Sequence, residues 1–104
     1  MSRRIVQREQ ARRDLVSHFV HVGEHNLDAA HRLLTAAERD FEKLANMPGM
    51  GSIFEVKNPK FSGLRVWPIR GFEKYLVFCL THEDAVEIVR VLHGSRDIEP
   101  LFRE

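Results

Sequence analysis

The stretch GLRVWPIRGFEKYLVF, from Gly63 to Phe78, decides the fold of this 104-residue chain together with VEIVRVLHGSRDIEPLF, from Val86 to Phe102. Three apolar runs follow one another here, at 64–69, 74–81 and 85–93, and they are rich in the β-branched and aromatic residues typical of strands. The links between these runs are so short that they can join only antiparallel neighbours. We therefore predict a three-stranded antiparallel meander in the second half of the chain.

The middle run, KYLVFCLT from Lys74 to Thr81, is apolar on both of its faces, since alternate residues of a strand point to opposite sides. One pair of helices can cover only one of those faces. A small domain would otherwise expose an apolar patch, so we expect a partner protein to cover part of the second face. The alternative is that the tail of the chain, with Ile98, Leu101 and Phe102, folds over it.

Two features indicate where the edges of this sheet lie. Pro68 has no amide hydrogen to donate to a neighbouring strand, so it suits an edge strand or a bulge. The segment from Arg3 to Glu9 alternates weakly around Ile5 and Val6 and is predicted to be a short first strand at an edge.

The residues between these strands have the spacing of two amphipathic helices. The first is predicted from Gln10 to about Glu24, and the second follows Asn26, a residue type preferred at helix N-caps. Proline cannot continue a helix, so the run from Met47 to Gly51, which contains Pro48, should end the second one. The two apolar faces are Ala11, Leu15, Phe19 and Val22 on the first helix, and Ala30, Leu33, Leu34, Ala37, Phe41, Leu44 and Ala45 on the second.

Length and composition indicate one globular domain, residues 1–104, of the α+β class. Hydrophobic residues make up 43% of the chain and charged residues 30%, which is ordinary for a folded protein. No apolar stretch approaches the roughly 18 residues that span a bilayer, and the first residues, MSRRIVQREQARRD, are too charged for a signal peptide. We expect a cytoplasmic protein without membrane contact.

Little in the sequence points to a metal or a cofactor. Cys79 is the single cysteine and lies in an apolar run, so it is expected to be a buried, inert thiol. His21 and His25 have the spacing of a chelating pair on a helix, with His18 one turn earlier, but no carboxylate completes a known zinc motif. Histidines on a solvated helix face are the preferred interpretation, with no metal site and no cofactor.

The order strand, helix, helix and three-stranded meander resembles the ParE branch of the RelE/ParE toxin superfamily. The resemblance extends over nearly the whole chain through ARRDL (11–15), LANMPGMG (44–51) and the two stretches quoted first. Its most specific segments surround Arg65 to Pro68, and Arg90 to Gly94 with the following Arg96-Asp97. Cys79 departs from the pattern, since such toxins usually carry an aromatic residue there. The resemblance implies a β-α-α-β-β-β fold, with the N-terminal strand and helical hairpin packed on a twisted antiparallel sheet.

The resemblance also implies a function. Such proteins are toxins of type II toxin–antitoxin systems, associated with plasmid stabilisation, and a small ParD-like antitoxin wraps and silences them. Operator DNA is expected to be contacted only through the antitoxin complex. ParE-branch toxins are associated with inhibition of DNA gyrase, whereas RelE-branch toxins cut messenger RNA on the ribosome. The two branches share a fold, so the chemistry of the site has to distinguish them.

Metal-free RNA cleavage needs a general base, cations beside the crowded phosphate and an acid for the leaving oxygen. The candidates in this chain are Arg65, Arg90, His93 and Arg96. Histidine is a common acid or base in catalysis, which makes His93 a candidate. No strong acid–base pair is visible, however, and the one tyrosine, Tyr75, lies in the central strand. We therefore favour a toxin that inhibits gyrase by binding over an mRNA endoribonuclease. A third hypothesis is a toxin-like domain that has lost potency and acts as an antitoxin-bound corepressor.

Binding to the antitoxin or to the target needs exposed aromatic and arginine side chains, which are enriched at protein interfaces. Several of these candidates have structural alternatives: Trp67 as a core residue, Arg96-Asp97 as a salt bridge or turn that anchors the tail, and Arg65 and Arg90 as partners of acidic side chains. The predicted binding residues are Trp67, Arg70, Tyr75, Val77, Arg96 and Phe102.

Overall fold

In the computed structural model, which describes residues 3–47 and 49–103, two helices pack on one face of a five-stranded sheet. This is the predicted α+β class. The elements in chain order are β1 (Arg4–Gln7), α1 (Glu9–Gly23), α2 (Leu27–Asn46), β2 (Ser52–Ile53), β3 (Arg65–Ile69), β4 (Phe72–Thr81) and β5 (Ala85–His93), with single 3-10 turns at Pro59–Phe61 and Glu99–Phe102. None of the described helices is long and apolar enough to cross a membrane.

The strand order is β1-β5-β4-β3-β2, and β3, β4 and β5 form the predicted antiparallel meander. The predicted strand at the amino terminus lies at an edge of this sheet, and its direction had not been predicted: β1 pairs in parallel with residues 85–88 of β5. The helical hairpin carries the chain across the sheet from β1 at one edge to β2 at the other, and the meander then returns it to β5 beside β1. A connection of this length can join parallel neighbours. The two-residue β2 at the opposite edge had not been predicted.

Both helices lie where the periodicity placed them. The Asn26 side chain accepts a hydrogen bond from the amide of Ala29 at 3.0 Å and caps α2, as predicted. The helix ends at Asn46; the predicted stop at Pro48 lies outside the described residues. The helical faces cover a first core whose sheet residues are Ile69, Val77, Cys79, Val86, Ile88 and Val91.

The second face of the sheet is covered by the chain itself. The expectation that a partner protein covers it was therefore wrong, and the alternative in which the tail folds over it is confirmed. Phe102 is 1% exposed, and its ring centroid lies 5.1 Å from that of Phe61 and 5.2 Å from that of Phe78. The long loop between β2 and β3 adds further apolar side chains. This second core contains Phe61, Leu64, Phe78, Leu80, Val89, Leu92 and Phe102.

Pro68 lies at an effective edge, because β2 pairs only with Arg65 and Val66 and leaves the following residues of β3 without an outer neighbour among the described strands. The register between β3 and β4 also shifts between Pro68 and Ile69. Both parts of the prediction for this proline, an edge and an irregularity, are confirmed. Since the ring has no amide hydrogen, it leaves no unpaired donor at this edge.

Gly51, just before β2, allows a close approach to β3. Its φ is +85°, and a Cβ there would lie 2.8 Å from the carbonyl oxygen of Val66. Gly63 has a similar φ of +86° but would meet no atom within 4 Å. We predict that Gly63→Ala lowers the free energy of unfolding by about 1–2 kcal/mol through backbone strain alone. Gly51→Ala should cost at least about 1 kcal/mol more, because of the added steric contact.

Urea denaturation of the two variants measures this difference. Equal losses for Gly51→Ala and Gly63→Ala would show that the contact with Val66 relaxes without cost.

Candidate functional site

The guanidinium of Arg65, the first candidate for phosphodiester cleavage, fastens the loop that follows α2. It donates to the carbonyl oxygen of Gly51 at 3.0 Å and to that of Gly49 at 3.4 Å. The side chain lies on the helix side of the sheet, since Arg65 pairs with Cys79 in the register of β3 and β4. Arg65 therefore has a structural role in this geometry.

The second candidate, Arg90, is held by a buried carboxylate. Its Nε and Nη2 donate to the two oxygens of Asp14 at 2.8 and 3.0 Å, and the side chains are only 15% and 7% exposed. Such a two-bond arginine–carboxylate pair has fixed geometry. The guanidinium is therefore engaged within the fold, at the point where the register of β4 and β5 shifts.

Two side chains of α1 take the place of a strand beside β5. The edge of β5 beyond Ile88 has no strand neighbour among the described residues, because β1 ends there. Asp14 accepts from the amide of Val91 at 3.0 Å, and Nε2 of His18 lies 2.7 Å from the carbonyl oxygen of the same residue. A carbonyl only accepts hydrogen bonds, so Nε2 of His18 is the donor. Both backbone groups of Val91 are thereby satisfied.

Neither Asp14 nor His18 had been predicted as a site residue. Their spacing of four residues on α1 was a usable signal, since it places both side chains on one side of the helix. Burial is the largest influence on the pKa of His18 and lowers it, against the opposing effect of the hydrogen bond to Val91. The ring is therefore neutral at pH 7 and acts as a fixed donor.

The third candidate, His93, belongs to a row of rings. The ring of Tyr75 lies edge-on between those of His18 and His93, with centroid distances of 4.8 and 5.1 Å. Nδ1 of His93 accepts from the amide of Ser95 at 3.1 Å. Tyr75 and His93 are half-buried, so the row borders the surface.

Arg96, the fourth candidate, is exposed in the turn after β5. Its amide donates to the carbonyl oxygen of His93 at 3.1 Å, which supports the interpretation of this segment as a turn. Its side chain forms no salt bridge with any described residue, Asp97 included. Within residues 3–47 and 49–103, Arg96 is thus a cation without an acidic partner, close enough to the row of rings to act on His18.

The four candidates for cleavage do not form a single group, because Arg65 lies apart from His93. In the sheet register, Arg65 on β3 lies opposite Cys79 of β4, and His93 on β5 lies opposite Tyr75 of β4. Arg65 and His93 are therefore on opposite sides of β4 and are separated by four residues, about 13 Å, along it. Among the described residues, no three histidine, cysteine, aspartate or glutamate side chains are grouped to hold a metal ion. Burial raises the pKa of the Cys79 thiol to about 11, against a lowering by Arg65, which fits an inert cysteine.

Two of the predicted binding residues are buried. Val77 is 0% exposed beneath the helices, and Phe102 is 1% exposed in the second core. Neither can offer its side chain to a partner on the surface of this fold. The prediction was wrong for both because an alternating strand pattern does not tell which of its two faces the rest of the chain covers.

Trp67 and Arg70 lie together at the β3 edge. The indole nitrogen of Trp67 donates to the carboxylate of Asp40 at 3.1 Å, and the amide of Arg70 donates to the same oxygen at 2.8 Å. Asp40 is 0% exposed and was not predicted, although it stands between Ala37 and Phe41 on the apolar face of α2. This buried carboxylate fixes the indole ring beside a groove of about 640 Å³ lined by Lys43, Met47, Met50, Trp67, Pro68, Arg70 and Glu73.

The comparisons with known proteins concern this fold and its family. The family described as "ParE toxin of type II toxin-antitoxin system, parDE" matches residues 5–98. A solved structure, the chromosomal ParDE TA system from P. aeruginosa, has a similar fold with a TM-score of 0.71. It is 13% identical in sequence, and the match covers 88% of this chain and 96% of that one. No curated protein sequence matches the chain. Because the family match covers most of the sequence, the chain belongs to the ParE toxin family of type II toxin–antitoxin systems.

Proposed function

We propose that this protein is the toxin of a type II toxin–antitoxin pair, that a cognate ParD-like antitoxin neutralises it, and that it inhibits DNA gyrase by binding rather than cutting RNA. The observation that carries the choice is the engagement of Arg65 and Arg90 in bonds within the fold. A catalytic cation has to meet the phosphate, and releasing Arg90 would leave Asp14 as a buried, unpaired charge. Operator DNA is contacted through the antitoxin.

The alternative is a RelE-like, ribosome-dependent mRNA endoribonuclease. One observation favours it: His93 and Tyr75 are in ring contact near the exposed Arg96. An imidazole and a cation are groups that RNA cleavage can use. Arg65 is too far from His93 to join these groups, and Arg90 is already paired with Asp14. The groups that remain are fewer than RNA cleavage requires.

Induction of the protein in cells that lack the antitoxin distinguishes these hypotheses. Inhibition of gyrase predicts double-strand breaks and an SOS response while messenger RNA persists. Rapid loss of messenger RNA before any DNA damage would support the endoribonuclease. Unimpaired growth at full expression would contradict both activities and leave the corepressor.

Substitution of His93 tests the same choice at one residue. We predict that His93→Ala leaves toxicity within about threefold of the wild type, since removal of a general acid or base typically costs 10²–10⁴-fold. Colony counts after induction measure the effect, and His25→Ala, in the exposed turn between α1 and α2, is the matched control. Complete loss of toxicity in a His93 variant that still folds and binds antitoxin would show a catalytic role.

A further inference from the structure

The second half of α2 and the β3–β4 turn enclose a continuous surface, which we call the basic groove. It consists of the lining residues of α2 from Arg32 to Lys43, of Met47 and Met50 after the helix, and of the segment from Trp67 to Phe72, with Glu73 at its end. Arg70 lines both hollows of which the groove is composed, so the two lie next to each other along α2. We propose that an acidic, apolar-anchored segment of the antitoxin binds in this groove, an inference that rests on the proposed function for the identity of the partner.

The charge of the groove is the first argument. Its lining contains four cationic side chains, Arg32, Arg39, Lys43 and Arg70, but a single carboxylate, that of Glu73. The three cations of α2 follow one another at intervals of seven and four residues, which places them on one side of the helix. The chain as a whole carries a net charge of only +1, so this surface is a local concentration of positive charge.

Two of these cations are available to a partner. Arg32 is paired with Asp28 at 3.3 Å, and Arg39 donates to the carbonyl oxygen of Arg70 at 3.3 Å. In the described part of the chain, Lys43 and Arg70 form no salt bridge.

The carboxylate of Glu73 is already occupied in the β3–β4 turn. It accepts from the amide of Gly71 at 2.8 Å, and backbone hydrogen bonds, with a smaller effect of Arg70, lower its pKa. The carboxylate of Glu73 therefore stays ionised and is held in the turn. It competes only weakly with a partner's carboxylates for pairing with Lys43. A partner's carboxylates would find both Lys43 and Arg70 open to pairing.

The floor of the groove supplies the apolar anchor. Met47 is 57% exposed there, beside Met50 and the ring of Trp67. Methionine side chains adapt to the shape of a partner, whereas the indole ring is fixed through its bond to the buried Asp40. A rigid tryptophan beside adaptable apolar side chains is the arrangement that dominates binding energy at many protein interfaces.

The same features favour a protein segment over a nucleic acid. Nucleic acids bind through many phosphate contacts and through stacking on free aromatic faces. As far as the described residues show, the groove offers two cations without a salt bridge and a floor of thioether and aliphatic groups around one fixed indole. From Arg32 to Met47 the groove follows α2 for about 22 Å, long enough for about four turns of a partner helix or about seven residues of an extended segment.

Charge reversal in the groove tests the proposal. The purified chain is titrated by calorimetry with the purified ParD-like antitoxin of the proposed pair. We expect Lys43→Glu/Arg70→Glu to raise the Kd at least about 100-fold, in line with the loss of two charge-assisted contacts. The matched control Lys57→Glu/Lys60→Glu makes the same charge change at exposed positions outside the groove and should raise it less than about threefold. Thermal melting shows whether both variants fold.

Each other outcome overturns a separate statement. An unchanged Kd in the folded groove variant would refute the groove and leave the proposed function intact. Absence of binding by the wild-type chain would refute the antitoxin partner itself, and the groove proposal with it. If the groove variant keeps its antitoxin affinity but no longer binds a labelled 20-nucleotide RNA or DNA duplex in anisotropy measurements, the groove is a nucleic-acid surface instead.

Discussion

Asp14→Ala is expected to lower the free energy of unfolding by about 3–5 kcal/mol, the size of loss seen when one partner of a buried ion pair is removed. The substitution leaves the guanidinium of Arg90, 15% exposed, without its counter-charge. It also removes the acceptor of the Val91 amide, on an edge of β5 that β1 does not reach. Domains of this size are stable by about 5–15 kcal/mol in total, so the variant should be close to unfolding at 37 °C.

Two further variants separate the causes of this loss. Asp14→Asn keeps an acceptor for the Val91 amide but not the charge, so its loss should be intermediate. Asp14→Leu/Arg90→Leu should recover part of the stability, because replacing a whole buried pair by apolar side chains is often neutral or better.

Arg13→Ala is the control, since it breaks the exposed pair with Glu9 at 3.6 Å and should change stability by less than about 1 kcal/mol. Urea denaturation measures all four, and a loss under 1 kcal/mol for Asp14→Ala would show that water already solvates Arg90.

The helices and the meander could be predicted because their signals are local. Periodicity and short links specify α1, α2 and the pairing of β3, β4 and β5 without reference to the rest of the chain. The direction of β1 could not be predicted in this way. Its neighbour in the sheet, β5, is about 80 residues away in sequence, and only the path of the hairpin over the sheet makes the two strands parallel.

The candidate site was predicted less well, because residue type does not reveal what a side chain is bonded to. Arg65 and Arg90 look like catalytic cations in the sequence, yet Arg65 is bonded to the loop at Gly51, 14 residues earlier, and Arg90 to Asp14, 76 residues earlier. Asp14 and Asp40 look like solvated helix charges, yet both are buried. The usable cue was their position, since each lies next to apolar residues on the buried face of its helix. A charge within an apolar stripe predicts a buried partner.

The tail was considered as a possible cover for the second face of the sheet, but a partner protein was the preferred expectation. Three buried residues of the last segment and of the β2–β3 loop, Phe61, Leu64 and Phe102, form a lid with internal contacts, such as that of Phe61 with Phe102. These side chains cover the second face of the sheet, and the strand pattern of the meander alone does not reveal that they are present. Because the chain buries this face itself, it leaves no exposed apolar patch there for a partner to cover.

Phe102→Ala tests this lid and should lower the free energy of unfolding by about 3–5 kcal/mol, as for other fully buried phenylalanines. The ring is 1% exposed and contacts both Phe61 and Phe78, so its loss leaves a cavity between the lid and the sheet.

Phe102→Leu keeps most of the volume and should cost much less. Arg103→Ala, next to it and exposed, should cost less than about 1 kcal/mol, since its pair with Glu99 is a surface one. If Phe102→Ala loses less than 1 kcal/mol in urea denaturation, the tail contributes little to covering the sheet. The second face would then be open to a partner, as the strand pattern alone had predicted.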